Sequence, residues 1–395
     1  MKYSKDALLY ITSSCFERAS FYGVRAILVL FMVGETMKMT TEEALAVYGI
    51  FITSLYGSKI IGALFGDLLF GNKRALLVGG LLQTIACFML CFSSLTLFYI
   101  GIGLFVLGNG FFTSNIVAQF GKQFTYKPKL IDSAFTAFFL FVNVGAFLGI
   151  TFLGSIAEIN FKYGFALGGI ITLIATIIAY FPKELEYEAN KVEFKTHIGL
   201  RALFIFIAII LSGIFWMVYE LSFFGVYEIQ ESIIEKSYLT NYRELIMNML
   251  NSYFGIAIAI ILTVIWMFIY TNQFFKFFMG LIISAIAFML LLIMPENNLP
   301  ILLIFMFLLA LGEMFVSPML YAITTRYSNA KYLAIVLSVV SIPLMLFNKV
   351  SGKISEYLTD LGSERILIGS TIVLFFFSLI ALTFWLIQKH SQKVQ

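Results

Sequence analysis

The sequence predicts an all-α integral membrane protein with about twelve transmembrane helices arranged in two six-helix halves. Hydrophobic residues make up 61% of the 395 residues, charged residues make up 12%, and the mean hydropathy is +0.95. A water-soluble domain of this length could not bury so much apolar surface, whereas a protein embedded in lipid does not need to. Apolar stretches of about 20 residues, the length that crosses a bilayer as a helix, recur along the whole chain.

Each expected helix is an apolar stretch that ends where polar or turn-forming residues begin. The first contains Glu17, Arg18 and Arg25 and lacks an apolar core followed by a small-residue cleavage site, so we interpret it as a membrane helix rather than a signal peptide. The expected helices lie near residues 7–33, 43–70, 73–94, 96–121, 132–157, 161–181, 200–227, 244–270, 274–294, 300–327, 330–354 and 364–388.

The distribution of basic residues predicts that both termini are cytoplasmic. With the N-terminus in the cytoplasm, sixteen of the 26 lysines and arginines fall in cytoplasmic segments and six on the opposite face. The longest polar cytoplasmic loop follows the sixth helix. We therefore expect an N-terminal six-helix bundle at 1–181, a cytoplasmic linker at 182–199 and a C-terminal six-helix bundle at 200–395.

Several classes of function have no support in the sequence. Cys15, Cys87 and Cys91 lie in apolar stretches without further ligands, so neither a metal site nor a cofactor is predicted. Neither a nucleophile with a base nor a phosphate-binding loop is evident, which argues against an enzyme. His197 and His390 fall in expected cytoplasmic segments, so an intramembrane histidine relay is excluded. The net charge of +4 is small, and no nucleic-acid partner is expected.

Ionisable residues inside the expected spans are the main functional signal, because such residues are costly in lipid and usually face a cavity or a partner. In the first helix Ser14, Arg18, Tyr22 and Arg25 recur at helical spacing and share one face. We expect these side chains to line a water-filled cavity, to contact carboxylates, or to do both. The alternative is that they form static ion pairs that hold the two halves together. The full set within spans is Glu17, Arg18, Arg25, Lys59, Glu220, Glu313 and Lys349.

Two of these positions combine charge with further local signals. Glu313 is followed by Pro318 and preceded by Gly312, so the tenth helix is expected to bend beside a carboxylate, with a simple kink as the alternative. Tyr56 and Lys59 share a face of the second helix, where Lys59 either faces a cavity or snorkels.

The segment GALFGDLLFGNKR ends the second helix and predicts a conformational switch. Its carboxylate, Asp67, precedes a turn that is followed by Lys73 and Arg74. In one conformation Asp67 could bridge to basic residues or to a helix N-terminus, and in the other it would release them. An ordinary capped loop is the alternative.

This segment resembles the cytoplasmic motif of the major facilitator superfamily, and further segments resemble its proton-coupled oligopeptide transporters. ERASFYGVRAIL is similar to the family pattern ExxERxxYYGxRAIL, and LGEMFVSP is similar to LGExxxSP. Further matches are GNGFFTSNI to GxGxxKPNI, FFLFVNVGAF to FYxxINxGAL, IFWMVYE to FWxxFEQ and LNSYF to LNPxF. The matches occur in order from residue 14 to about 352, which implies the major facilitator fold.

The resemblance implies a role for each matching residue. Arg25 and Glu220 would form an ion pair between the halves, and Glu313 with Asn251 would hold a peptide's amino terminus. Glu17, Glu220 and Glu313 would be the candidates for proton coupling. The residues expected to bind substrate are Arg18, Tyr22, Tyr56, Lys59, Asn143, Asn251 and Glu313.

Two departures from the family pattern affect the predicted charge network. Ser14 stands where the family has glutamate and Thr113 where it has lysine, so one negative and one positive charge are lost together. Lys59, at a position where proline is usual, is hypothesised to replace the lost positive charge, either by binding a substrate carboxylate or by pairing with Glu17.

Two functions remain open. The first is proton-coupled symport of di- or tripeptides, or of a peptide-like solute, across a bacterial inner membrane. The second is a transporter-derived accessory subunit that binds a protein partner in the bilayer and moves no solute.

Overall fold

The computed structural model describes residues 3–34, 36–185, 196–225, 227–235, 250–293, 298–358 and 363–391, and this part of the chain is helical with short connections. The helices are α1 (Lys5–Val33), α2 (Thr41–Leu64), α3 (Asn72–Leu90), α4 (Leu95–Lys122), α5 (Ile131–Ile159), α6 (Phe161–Tyr180), α7 (Ile198–Gly225), α8 (Tyr227–Glu235), α9 (Leu250–Phe268), α10 (Gln273–Leu292), α11 (Leu299–Tyr327), α12 (Leu333–Leu358) and α13 (Ser363–Ser391). A π-helical segment, Phe65–Phe70, continues α2, and a 3₁₀ turn, Ala330–Tyr332, precedes α12.

Side-chain caps explain where several helices begin. The Ser4 hydroxyl accepts a hydrogen bond from the Ala7 amide at the start of α1, and Asn160 caps α6 in the same way. Thr40 and Glu43 form a reciprocal capping box at the start of α2. These caps satisfy amide groups that the first turn of a helix leaves without partners. They lie within a few residues of the helix starts expected from hydropathy.

Ten helical stretches of the described chain are long and apolar enough to cross a membrane. Helix α1, with its charged residues, is not among them, and the described apolar part of α9 covers only Tyr253–Phe268. The all-helical prediction is therefore confirmed, while the count of twelve spans stays a prediction. The short helix α8 falls in the segment that the hydropathy pattern assigns to an outer loop.

Residue contacts divide the chain into two compact units. The first comprises Met1–Pro128, Ala137–Glu193 and Ser328–Ser341, and the second comprises Lys129–Thr136, Phe194–Tyr327 and Ile342–Gln395. The start of α5 thus belongs to the second unit, and the start of α12 belongs to the first. The predicted domains at 1–181, 182–199 and 200–395 are continuous along the sequence, unlike these units, and they stay a prediction.

Small residues bring α1 and α5 into backbone contact within the first unit. A Cβ atom added to Gly145 would collide with the carbonyl oxygen of Cys15, and one added to Gly149 with that of Ala19. On α1, a Cβ atom added to Gly23 would lie 2.6 Å from the Leu153 side chain and 2.7 Å from the Gly149 carbonyl oxygen. Small residues four apart allow this approach in membrane helices, where lipid provides little hydrophobic drive for association. The packing fixes α1, which carries the predicted charged face.

Candidate functional site

The first unit contains a buried ion pair between neighbouring residues of α1. Glu17 is 1% exposed and Arg18 is 8% exposed. The Arg18 Nε donates to Glu17 Oε2 at 2.6 Å, and Nη2 donates to Glu17 Oε1 at 2.8 Å. This geometry is bidentate, which is the strongest form of an arginine–carboxylate contact. Arg18 is therefore held by the carboxylate of its sequence neighbour, Glu17.

Helix α4 completes this ion pair with two neutral side chains. The Asn109 amide donates to Glu17 Oε1 at 3.1 Å, and the Arg18 Nη2 donates to the Thr113 hydroxyl at 2.7 Å. Thr113 therefore accepts a hydrogen bond from Arg18 at the position where a lysine ammonium would repel the guanidinium. Ser14, at the other altered position, is also buried. The sequence motif contained Asn109, but its role was not predicted.

Aromatic side chains surround the cations of α1. The Arg18 guanidinium carbon lies 4.6 Å from the Phe21 ring centroid and 5.9 Å from that of Tyr22. Two turns further on, the Arg25 Nε donates to the Tyr48 hydroxyl of α2 at 2.7 Å. Arg25 thus has a neutral partner within the first unit, and its ion pair with Glu220 stays a prediction.

Lys59 lies on α2 beside Tyr56. Its Nζ is 5.4 Å from the Tyr56 ring centroid, and its side chain is half-buried. In the described parts of the chain, Lys59 has neither a hydrogen bond nor an ion pair. Asn143 is likewise half-buried, on α5.

The second unit contains the other predicted carboxylates. Glu313 on α11 is 8% exposed and accepts a hydrogen bond from the Tyr219 side chain of α7. Glu220, the next residue of α7, is half-buried. The Asn251 side chain lies outside the described residues. A buried carboxylate that bonds to a tyrosine, rather than to a cation, can gain and lose a proton within the membrane.

Gly312, beside Glu313, has a packing role that the sequence did not reveal. A Cβ at this position would collide with the Ser284 hydroxyl of α10 and lie 2.9 Å from the Gly280 carbonyl oxygen. The glycine therefore permits close contact between α10 and α11. Helix α11 continues through Pro318 to Tyr327.

The predicted switch segment forms a hydrogen-bond network in the first unit. Asp67 accepts from the Asn72 amide at 2.9 Å and, through its other oxygen, from the backbone amide of Ile335 at 2.9 Å. Ile335 lies in the first turn of α12. The carboxylate thus meets a helix N-terminus, which was one of the two partners expected for it, and the positive end of the helix favours this contact.

The basic residues of the switch segment have other partners. The Lys73 Nζ donates to the Pro182 carbonyl, its backbone amide donates to Glu184, and Arg74 is exposed. Lys122 at the end of α4 donates to the Asn72 side chain. The switch role of Asp67, Lys73 and Arg74 stays a prediction.

Replacing Asn115 with alanine is expected to lower stability by roughly 1–3 kcal/mol, because buried hydrogen-bonding groups would lose their partners. The Asn115 side chain is fully buried, donates to the Gly62 carbonyl at 2.9 Å and accepts from Asn72 at 2.8 Å. Thermal unfolding of the purified protein measures the effect. Thr53→Ala is the control, since the Thr53 hydroxyl is exposed and bonds only within α2. Equal stability of the two variants would contradict the role assigned to Asn115.

The most deeply buried of the described ion pairs was missed by the sequence reasoning. Asp132, in the first turn of α5, accepts from the Lys276 ammonium and from the Gln273 amide, both on α10. Both side chains of the ion pair are 1% exposed, and the Lys276 Nζ lies 4.0 Å from the Trp266 ring centroid. The count of basic residues placed Lys276 on the cytoplasmic side, at the start of the expected helix near 274–294.

Comparison with known proteins identifies the architecture. The model of the Major Facilitator Superfamily matches residues 11–342. Dipeptide and tripeptide permease B of Salmonella typhimurium is 34% identical over 170 residues, which are 42% of this chain and 34% of the permease. The Yersinia enterocolitica peptide transporter YePEPT is 32% identical over 174 residues, 42% of this chain and 34% of that protein. The chain therefore spans about a third of the length of these relatives.

Solved structures share the fold over almost the whole chain. A transporter described as a member of the POT family, in complex with a thioalcohol-conjugated peptide, superposes with a TM-score of 0.68 at 18% identity. The superposition covers 96% of this chain and 95% of the other. Together with the family match and the long apolar helices, this shows a multi-pass membrane protein with the major facilitator fold, and the relatives named above are described as peptide transporters.

Proposed function

Since the chain belongs to the Major Facilitator Superfamily, we propose that it is a secondary active transporter of di- or tripeptides, or of a peptide-like solute. Transport proceeds by alternating access and is driven by a proton gradient. Support for the substrate class comes from the relatives named as dipeptide and tripeptide permeases. In this proposal twelve helices cross a bacterial inner membrane, and both termini are cytoplasmic.

The observation that carries the proposal is the contrast between two of the buried carboxylates, Glu17 and Glu313. Glu17 is held by a bidentate arginine and an amide, whereas Glu313 is buried against a tyrosine. In the described part of the chain Glu313 has no cation beside it, and such a carboxylate is the better proton carrier, because protonation removes a charge that burial disfavours. Glu313 is therefore the proposed coupling residue, and Glu17 with Arg18 forms the fixed part of the site.

The remaining predicted residues complete the proposed mechanism. Arg25 leaves Tyr48 to pair with Glu220 when the outer gate closes, and Asp67 releases the start of α12 when access changes. Tyr22, Tyr56 and Asn143 contact the solute, and Asn251 joins Glu313 at its amino end. These roles come from the resemblance, and the half-buried positions of Tyr22, Tyr56 and Asn143 in the first unit support theirs.

Uptake into liposomes tests the proposal. We expect purified protein to accumulate a labelled dipeptide when the outside is acidic and to stop accumulating it when the gradient is removed. Glu313→Gln should abolish gradient-driven accumulation while peptide exchange persists at higher peptide concentrations, because the glutamine oxygen can still accept from the amino end of the solute but cannot release a proton. Glu158→Gln is the matched control, since Glu158 is exposed on α5.

The outcomes separate the two candidate functions. Gradient-driven accumulation by Glu313→Gln would reject Glu313 as the coupling residue. Failure of the folded protein to bind or move any dipeptide would favour the accessory-subunit function, for which the altered Ser14 and Thr113 positions are the supporting observation. In that case, the proteins that co-purify with the chain would be identified next.

A further inference from the structure

Lys59 is a cation within a membrane span that forms no ion pair in the described part of the chain. Its only described contact is the face of the Tyr56 ring, which attracts a cation weakly. A charged side chain at this depth is expensive unless it is paired or faces water. No described side chain of the first unit forms an ion pair with the Lys59 ammonium, so its charge at this depth needs another partner.

The orientation of α2 places Lys59 away from lipid. Tyr48, which contacts Arg25 of α1, and Lys59 are eleven residues apart, so they lie on nearly the same face of the helix at about 100° per residue. Of the large apolar residues exposed on α2, Ile50, Ile61 and Leu64 lie on other faces, at about 140–200° from Lys59, whereas Leu45 lies near the same face but about four turns away. Lys59 thus shares the polar side of α2 that faces α1, and snorkelling along the lipid surface does not account for it.

The buried carboxylate near Lys59 is already occupied. Glu17 and Arg18 are its electrostatic neighbours. Both oxygens of Glu17 accept from Arg18, and one also accepts from Asn109. Pairing with Glu17, one of the two partners hypothesised from the sequence, is not observed. The cluster formed by Glu17, Arg18 and Lys59 therefore carries one excess positive charge, located on the lysine.

We infer that Lys59 is the anion anchor of the transport site and binds the carboxylate of the transported solute. This inference rests on the proposed function and narrows its substrate to solutes with a free anionic end. A lysine ammonium provides a compact charge with three donors for a carboxylate. An uncharged amide in the same place would leave the ammonium uncompensated, so the site selects against it.

The test compares dipeptides that differ only in charge at the carboxyl end. A panel of dipeptides, each as the free acid and as the C-terminal amide, competes for binding to the purified protein. We expect the wild-type protein to bind the free acids roughly 10- to 100-fold more tightly than the amides, the range for a hydrogen-bonded charge. Lys59→Gln should remove this preference by weakening binding of the acids alone, and Lys59→Arg should retain most of it.

Two controls keep the result interpretable. Lys162→Gln makes the same chemical change at an exposed lysine of α6 and should leave the preference intact. Without peptide, Lys59→Gln should unfold at a temperature no lower than the wild-type protein, because no ion pair is lost. A lower unfolding temperature would mean that Lys59 has a structural partner and would overturn the inference.

The outcomes distinguish this inference from the proposed function. Suppose that the wild-type protein binds the peptides and that Lys59→Gln either keeps the preference for free acids or weakens binding of acids and amides equally. Lys59 is then not the anion anchor, and the proposed peptide transport still stands. If the wild-type protein binds neither form of any dipeptide, the proposed function fails, and the inference fails with it.

Discussion

Lys276→Met is expected to destabilise the protein by about 3–5 kcal/mol, because the Asp132 carboxylate would stay buried without its cation. Asp132 and Lys276 are each 1% exposed, and the pair joins the first turn of α5 to α10 within the second unit. Gln273 alone cannot compensate a full negative charge. We expect a large fall in thermal unfolding temperature and a loss of monodisperse protein in detergent.

The double variant Asp132→Asn with Lys276→Met should recover most of this loss. Neutralising both partners removes the uncompensated charge, and the introduced asparagine side chain retains an oxygen that can accept from Gln273. Lys162→Met is the matched control, since it changes an exposed lysine and should have little effect. If the double variant were as unstable as the sum of the single variants, the two residues would not be acting as a pair.

The helices could be predicted because the bilayer imposes a simple requirement on sequence. Every spanning backbone must bond internally, so each span is a helix of about 20 apolar residues. The stretches at 132–157 and 300–327 predicted α5 and α11 to within two residues of Ile131–Ile159 and Leu299–Tyr327. A short polar helix such as α8 carries no such signal, and it was assigned to a loop.

The partners of the charged residues could not be predicted in the same way. Asp132 and Lys276 are 144 residues apart and lie near the ends of their expected spans, so each appeared to be a boundary residue. Glu17 and Arg18 are neighbours in the sequence, but the contact of Glu17 with Asn109, 92 residues away, depends on the packing of α1 against α4. Helical periodicity indicates which residues share a face, and it does not indicate which helix that face meets.

Gly149→Ala is expected to disrupt the contact between α1 and α5 and to cost roughly 3 kcal/mol. The added Cβ would lie well under 3.0 Å from the carbonyl oxygen of Ala19, and a helix backbone cannot turn aside as a flexible side chain can. Helix α1 would have to move away from α5. Because α1 carries Glu17 and Arg18, the proposed dipeptide uptake should fall together with stability.

Gly154→Ala, on the same helix, separates this packing effect from helix propensity. No atom lies within 4 Å of a Cβ added to Gly154, so the substitution meets open space. Gly154→Ala should leave uptake unchanged and stabilise α5 by about 0.5–1 kcal/mol, since glycine is a poorer helix former than alanine. Equal unfolding temperatures for the two variants would show that α1 does not depend on the small-residue contact at Gly149, and the site would then need another support for its charged face.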